Sequence, residues 1–144
     1  MLVVHFGGFA VDTTSGKGGP ARDVAVRVVA SGQRLVMFPE GAMYLDGVSG
    51  PFKKGAVRIA RAAAKASKKP VYVVPIRIIY GRYPGAWIHR FRAPWSYLLM
   101  MVWSCVVRPG ATVIVGQAIA STDLKGDDAS ATETLRSTLF ALKP

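Results

Sequence analysis

The residues best suited by type and spacing to do chemistry are Glu40, set between Pro39 and Gly41 at the end of the apolar run Leu35-Val36-Met37-Phe38, and the pair Lys53-Lys54 beyond a short loop. An apolar run that stops at Pro, an acid and Gly reads as a buried strand delivering one carboxylate to a turn, where function commonly concentrates. Such a carboxylate can orient polar substrate groups, or it can cap the N–H groups of the turn that follows. Two lysines near a helix start can hold a phosphate, aided by the positive end of the helix dipole, or can simply be solvated. The Gly-rich Asp12-Thr13-Thr14-Ser15-Gly16-Lys17-Gly18-Gly19 lacks the spacing of a Walker phosphate cradle and reads as a flexible connection. The lone Cys105 excludes an internal disulfide and a Cys-based metal cluster, and its apolar neighbours predict a small buried hydrophobe.

Charge narrows the partner. The formal net charge is +11, and between Gly47 and Thr122 there are twelve basic residues and no acid. This calls for an anionic partner: phospholipid headgroups, a phosphorylated substrate or nucleic acid. Zinc-ligand spacing, RNP-like aromatics and a helix-turn-helix signature are all missing, so nucleic acid is not expected. Half of the residues are hydrophobic and the mean hydropathy is +0.28, which argues against disorder. The length of 144 residues suits a single domain spanning 1–144. Met1 to Phe6 is too short an apolar run for a secretory signal, and Trp95 to Val107 falls short of the roughly 20 residues a spanning helix needs.

These residues must be positioned by regular elements. Pro20 suits a first helical position, Ala21, Val24, Ala25 and Val28 share a face, and Gly32 is a stop. Gly50-Pro51 starts a second helix, with Phe52, Ala56, Ile59, Ala60 and Ala63 on one face and Lys54, Arg58, Arg61 and Lys65 forming a basic stripe. Pro70 to Ile79 has the β-branched density of a strand covered on both faces. Trp95 to Val107 is an apolar segment bracketed by Arg90, Arg92 and Arg108, read either as an interfacial membrane element or as a core helix. Ala111 to Val115 predicts a strand, and Ala129 to Leu142 a closing helix with Leu135, Leu139 and Leu142 inward. The alternation predicts an α/β fold, a layered sheet of mostly parallel strands flanked by helices.

Four blocks in order carry a resemblance: Gly7-Gly8-Phe9-Ala10-Val11-Asp12, Phe38-Pro39-Glu40-Gly41, Phe52-Lys53-Lys54-Gly55-Ala56 and Val74-Pro75-Ile76. Together they resemble the glycerolipid acyltransferase family, whose best-known members make phosphatidic acid from lysophosphatidic acid. The resemblance covers the chain from about Gly7 to Ile119 and implies a glycerol-3-phosphate acyltransferase-like fold, incomplete at its N-terminus. It implies acyl transfer from acyl-CoA or acyl-carrier protein to a lysophospholipid, with no other cofactor, at the cytoplasmic face of an anionic membrane. It places Gly8, Asp12, Pro39, Glu40, Gly41, Lys53 and Lys54 at the acceptor site, with Gly41 admitting a close backbone approach, and Val74, Pro75 and Ile76 at the acyl-donor pocket.

Two departures matter. The family's general base is a His with an Asp five positions later, whereas His5 is followed at that offset by Ala10 and His89 by Pro94. The catalytic block is therefore expected upstream of Met1, or the chain is a degenerate relative that binds lipid headgroups without catalysis. The family's phosphate-holding arginines are also replaced, by Ala42-Met43 after Glu40-Gly41 and by Thr13 after Asp12.

Overall fold

The computed structural model describes residues 19–41, 50–81, 95–107 and 110–144. Helix α1 spans Gly19–Ala30 and ends as its sequence predicts. Gly32 takes φ +85°, while the Gly32 and Gln33 N–H groups return to the carbonyls of Val29 and Val28 at 3.0 and 3.2 Å. This left-handed closure satisfies carbonyls that the helix end leaves open. Helix α2, Gly55–Ser67, packs along α1. The small buried residues Ala25, Ala60 and Ala63 let the two backbones approach closely.

The segment expected to be one strand from Pro70 to Ile79 is two, β1 (Tyr72–Val73) and β2 (Ile76–Tyr80). Pro75 has no N–H to give a ladder, and its carbonyl instead accepts from Gly116 N at 2.9 Å. The chain passes through α3 (Trp95–Val107) and returns as β3 (Ala111–Val115) and β4 (Ile119–Ala120), pairing β3 with β2 and β4 with β1. Both pairings are antiparallel, with Ile76 opposite Val115 and Tyr72 opposite Ala120. The described residues thus form a mixed α/β structure with antiparallel strands, in place of the parallel arrangement the alternation predicts. The reason is the return path: the same segment runs back along both halves of the broken strand.

Coverage also differs from expectation. Helix α4, Asp128–Ala141, lies on one face of β2, where Arg77 donates to the carbonyls of Phe140 (3.1 Å) and Leu142 (2.6 Å) at the helix's C-terminal end. On the other face Tyr72, Val74, Ile76, Ile78 and Tyr80 are exposed. An antiparallel ribbon with a helix on one side alternates in this way, whereas a sandwiched strand does not. Leu35 to Phe38 runs extended without a ladder partner among the described residues, and Val36 and Phe38 are 81% and 76% exposed. The core lies at the other end, where Val57, Leu124, Ala131 and Leu135 are buried together against Val73 and Ile119.

Candidate functional site

The turn at Glu40 and the start of α2 are held to each other by the backbone. Lys53 N donates to the Pro39 carbonyl at 2.6 Å, and Gly41 N to the Phe38 carbonyl at 3.4 Å. Gly41 takes φ +66°, and a Cβ built there would lie 3.3 Å from Lys53 Cγ. The stem of Lys53 therefore lies over the bare face of Gly41, in a conformation that favours glycine. One turn further along, Met37 Cε lies 3.8 Å from where a Cβ on Gly55 would stand, so the extended segment rests on the first residue of α2.

The Glu40 carboxylate is partly buried and accepts from Gly50 N at 3.2 Å. It thus ties the turn to Gly50, the capping role open to a carboxylate at a strand tip. Lys53 and Lys54 are exposed and make no ion pair among the described residues. Lys54 holds the N-cap position of α2, which has no side-chain cap and no acid in its first turn. An uncapped helix start with two exposed lysines before it is a setting that favours an anion.

The basic stripe of α2 does not remain whole. Arg58 Nε and Arg61 NH1 donate to Asp128 at 2.8 and 2.7 Å, and Arg61 NH2 donates to the carbonyls of Leu124 (2.6 Å) and Gly126 (2.8 Å). The two bonds to Asp128, led by that from Arg58, hold its carboxyl below its ordinary pKa. Asp127 caps α4 by accepting from Ser130 N and Oγ at 3.0 and 2.6 Å, and the Ser130 hydroxyl leads in lowering its pKa. The Asp127-Asp128 pair ahead of the Leu135, Leu139 and Leu142 spacing is legible as a helix start. Its pairing with arginines some seventy positions away is not.

Of the residues singled out in the sequence, Pro39, Glu40, Gly41 and Lys53 come together, with Lys54 at the adjoining helix start. Val74, Pro75 and Ile76 belong to the β1–β2 junction: Pro75 is buried, while Val74 and Ile76 are 45% and 46% exposed. Among the described residues no hydrogen bond or ion pair joins them to the Glu40 turn. Gly8, Asp12, His5 and His89 lie outside the described residues. Gly50, whose N–H donates to Glu40, is read from the sequence only as part of a Gly50-Pro51 helix start and not as a site residue. Cys105 is exposed, not the buried hydrophobe its neighbours predict, because it falls on the outward side of α3.

A mixed α/β structure with an acidic turn closed onto the start of a basic helix is the class that fold and site define. The Acyltransferase family model matches residues 2–79, more than half of the 144 residues, and the chain belongs to that family. The matched span contains the Glu40 turn, α2 and most of β2. The chain matches no curated protein and no solved structure.

Proposed function

We propose that this acyltransferase-family chain binds a lysophospholipid such as 1-acylglycerol-3-phosphate at the junction of the Glu40 turn and α2, as the acceptor of an acyl group from acyl-CoA or acyl-carrier protein. The observation that carries this reading is the left-handed turn at Gly41 lying under Lys53, next to the uncapped start of α2. Lys53, Lys54 and the first helical N–H groups supply donors for a phosphate, in place of the arginine forks that Ala42-Met43 and Thr13 lack. Glu40 acts through the turn: by holding Gly50 it fixes the loop that leads to Lys53. Gly8 and Asp12 complete this acceptor site by resemblance, and Val74, Pro75 and Ile76 shape the donor side.

Acyl transfer to an alcohol needs a general base to take the hydroxyl proton as oxygen attacks the thioester carbonyl, after which the thiolate leaves. Neither His5 nor His89 has an Asp five positions on. That observation favours a second reading, in which the 144-residue chain holds the acceptor without turning it over.

Titration calorimetry with a short-chain, monomeric 1-acylglycerol-3-phosphate tests the acceptor site. Lys53→Ala is expected to weaken binding about tenfold, the loss of one charge-assisted contact. Equal affinity for the phosphate-free monoacylglycerol overturns the reading. Release of thiol from acyl-CoA in the presence of the acceptor separates catalysis from binding alone.

A further inference from the structure

Helix α3 carries two apolar faces. At 3.6 residues per turn, Ser96, Leu99, Met100, Trp103 and Val107 share one side, and each of these is buried or half-buried. Trp95, Leu98, Met101, Val102, Cys105 and Val106 share the opposite side, an arc of about 140°. Trp95 is 64% exposed, Met101 60%, Val102 51% and Val106 77%. A surface helix ordinarily turns its polar side outward, but here no charged residue occurs from Trp95 to Val107. A contiguous outward face of this kind marks a contact surface.

We propose that the outward face of α3 inserts in the plane of an anionic lipid bilayer and seats the protein there. Charge complementarity selects the occupant: Arg90, Arg92 and Arg108 bracket the helix in sequence, within the stretch from Gly47 to Thr122 that holds twelve bases and no acid. An apolar helix flanked by arginines matches acyl chains below and anionic headgroups beside it, with Trp95 at the entry where aromatic rings favour the interface. The helix is too short to cross, at about 20 Å for 13 residues against a hydrocarbon core of about 30 Å. Among the described residues no helix is long and apolar enough to span a membrane. In-plane seating uses the outward arc alone and leaves the buried and half-buried side untouched. It is independent of the acceptor reading, since none of the residues at the Glu40 turn takes part.

The test is vesicle sedimentation of the full chain with phosphatidylcholine alone and with an equal mixture of phosphatidylcholine and phosphatidylglycerol. Binding to the mixed vesicles is expected, weakened by salt, and lowered at least about tenfold by Val106→Asp or Val102→Asp. These side chains face outward, so circular dichroism should match the parent. Tryptophan quenching by lipids brominated along the acyl chain should be lost in the same variants. Undiminished binding by both variants overturns the proposal, as does equal binding to phosphatidylcholine alone. A dimer that Val106→Asp dissolves would assign the face to a second copy instead. Binding of monomeric 1-acylglycerol-3-phosphate without vesicles reports on the acceptor site separately, so either idea can fail alone.

Discussion

The two halves of the basic helix α2 have opposite fates. In its middle, Arg58 and Arg61 are bound to Asp128 and to two carbonyls of the turn before α4. At its start, Lys53 and Lys54 are exposed and lack ion-pair partners among the described residues. In sequence both belong to one cationic run. The difference teaches that charge density does not by itself mark a binding surface: a cation already holding a carboxylate anchors the fold, and only one left open beside donor N–H groups can receive a ligand.

Removing the anchor should have the largest effect. Arg61→Ala leaves Asp128 with one fewer partner and the carbonyls of Leu124 and Gly126 without their donor. It is expected to lower stability by about 2 kcal/mol in urea unfolding. Arg58 is 53% exposed and its Asp128 contact is screened, so Arg58→Ala should cost less than Arg61→Ala. Equal losses would mean that the carbonyl contacts contribute nothing.

At the open end, Gly41→Ala is expected to cost about 1 kcal/mol. The cost arises because φ +66° disfavours a Cβ and the new methyl would press on Lys53. The same variant should disturb phosphate binding, which Arg61→Ala affects only through the fold. Smaller still, Lys53→Ala should change stability by no more than about 0.5 kcal/mol while weakening the acceptor. A large stability loss there would erase the distinction between the two ends.

The pH dependence sharpens the contrast by sign. The pKa of Asp128 is lower in the folded chain than unfolded. Its contribution is therefore present above the unfolded value of about 3.9 and is lost as pH falls through the folded one. Melting temperature should fall on acidification in the parent, and less steeply in Asp128→Asn. An unchanged slope in that variant would place the acid sensitivity elsewhere, with Asp127 the next candidate.

Helix α1 was legible because Pro20 and Gly32 punctuate it, and α4 because Leu135 is buried as its spacing predicts, whereas α2 begins at Gly55 and not at the Gly50-Pro51 that its sequence marks. The Glu40 turn was legible for the same reason, and the capping role open to its carboxylate is met by the bond from Gly50. Strand pairing was less so. β-branched density in Val71 to Ile79 gives extended backbone but no direction, and the same composition serves a parallel or an antiparallel partner. The fate of Cys105 and of the apolar residues around it was not readable either, because α3 is apolar on both sides and sequence alone does not say which side is covered.

By itself, then, the amino-acid order determined what depends on neighbours: helix starts and stops, the acidic turn, the concentration of positive charge and the family blocks. Only the tertiary structure decided what depends on distant partners. It set the antiparallel return across Pro75 and Gly116, divided the cations of α2 between Asp128 and solvent, and turned one apolar face of α3 outward. The physical reason is that backbone propensities and capping act over a few residues, whereas ion pairs and burial join positions that the chain brings together only when folded.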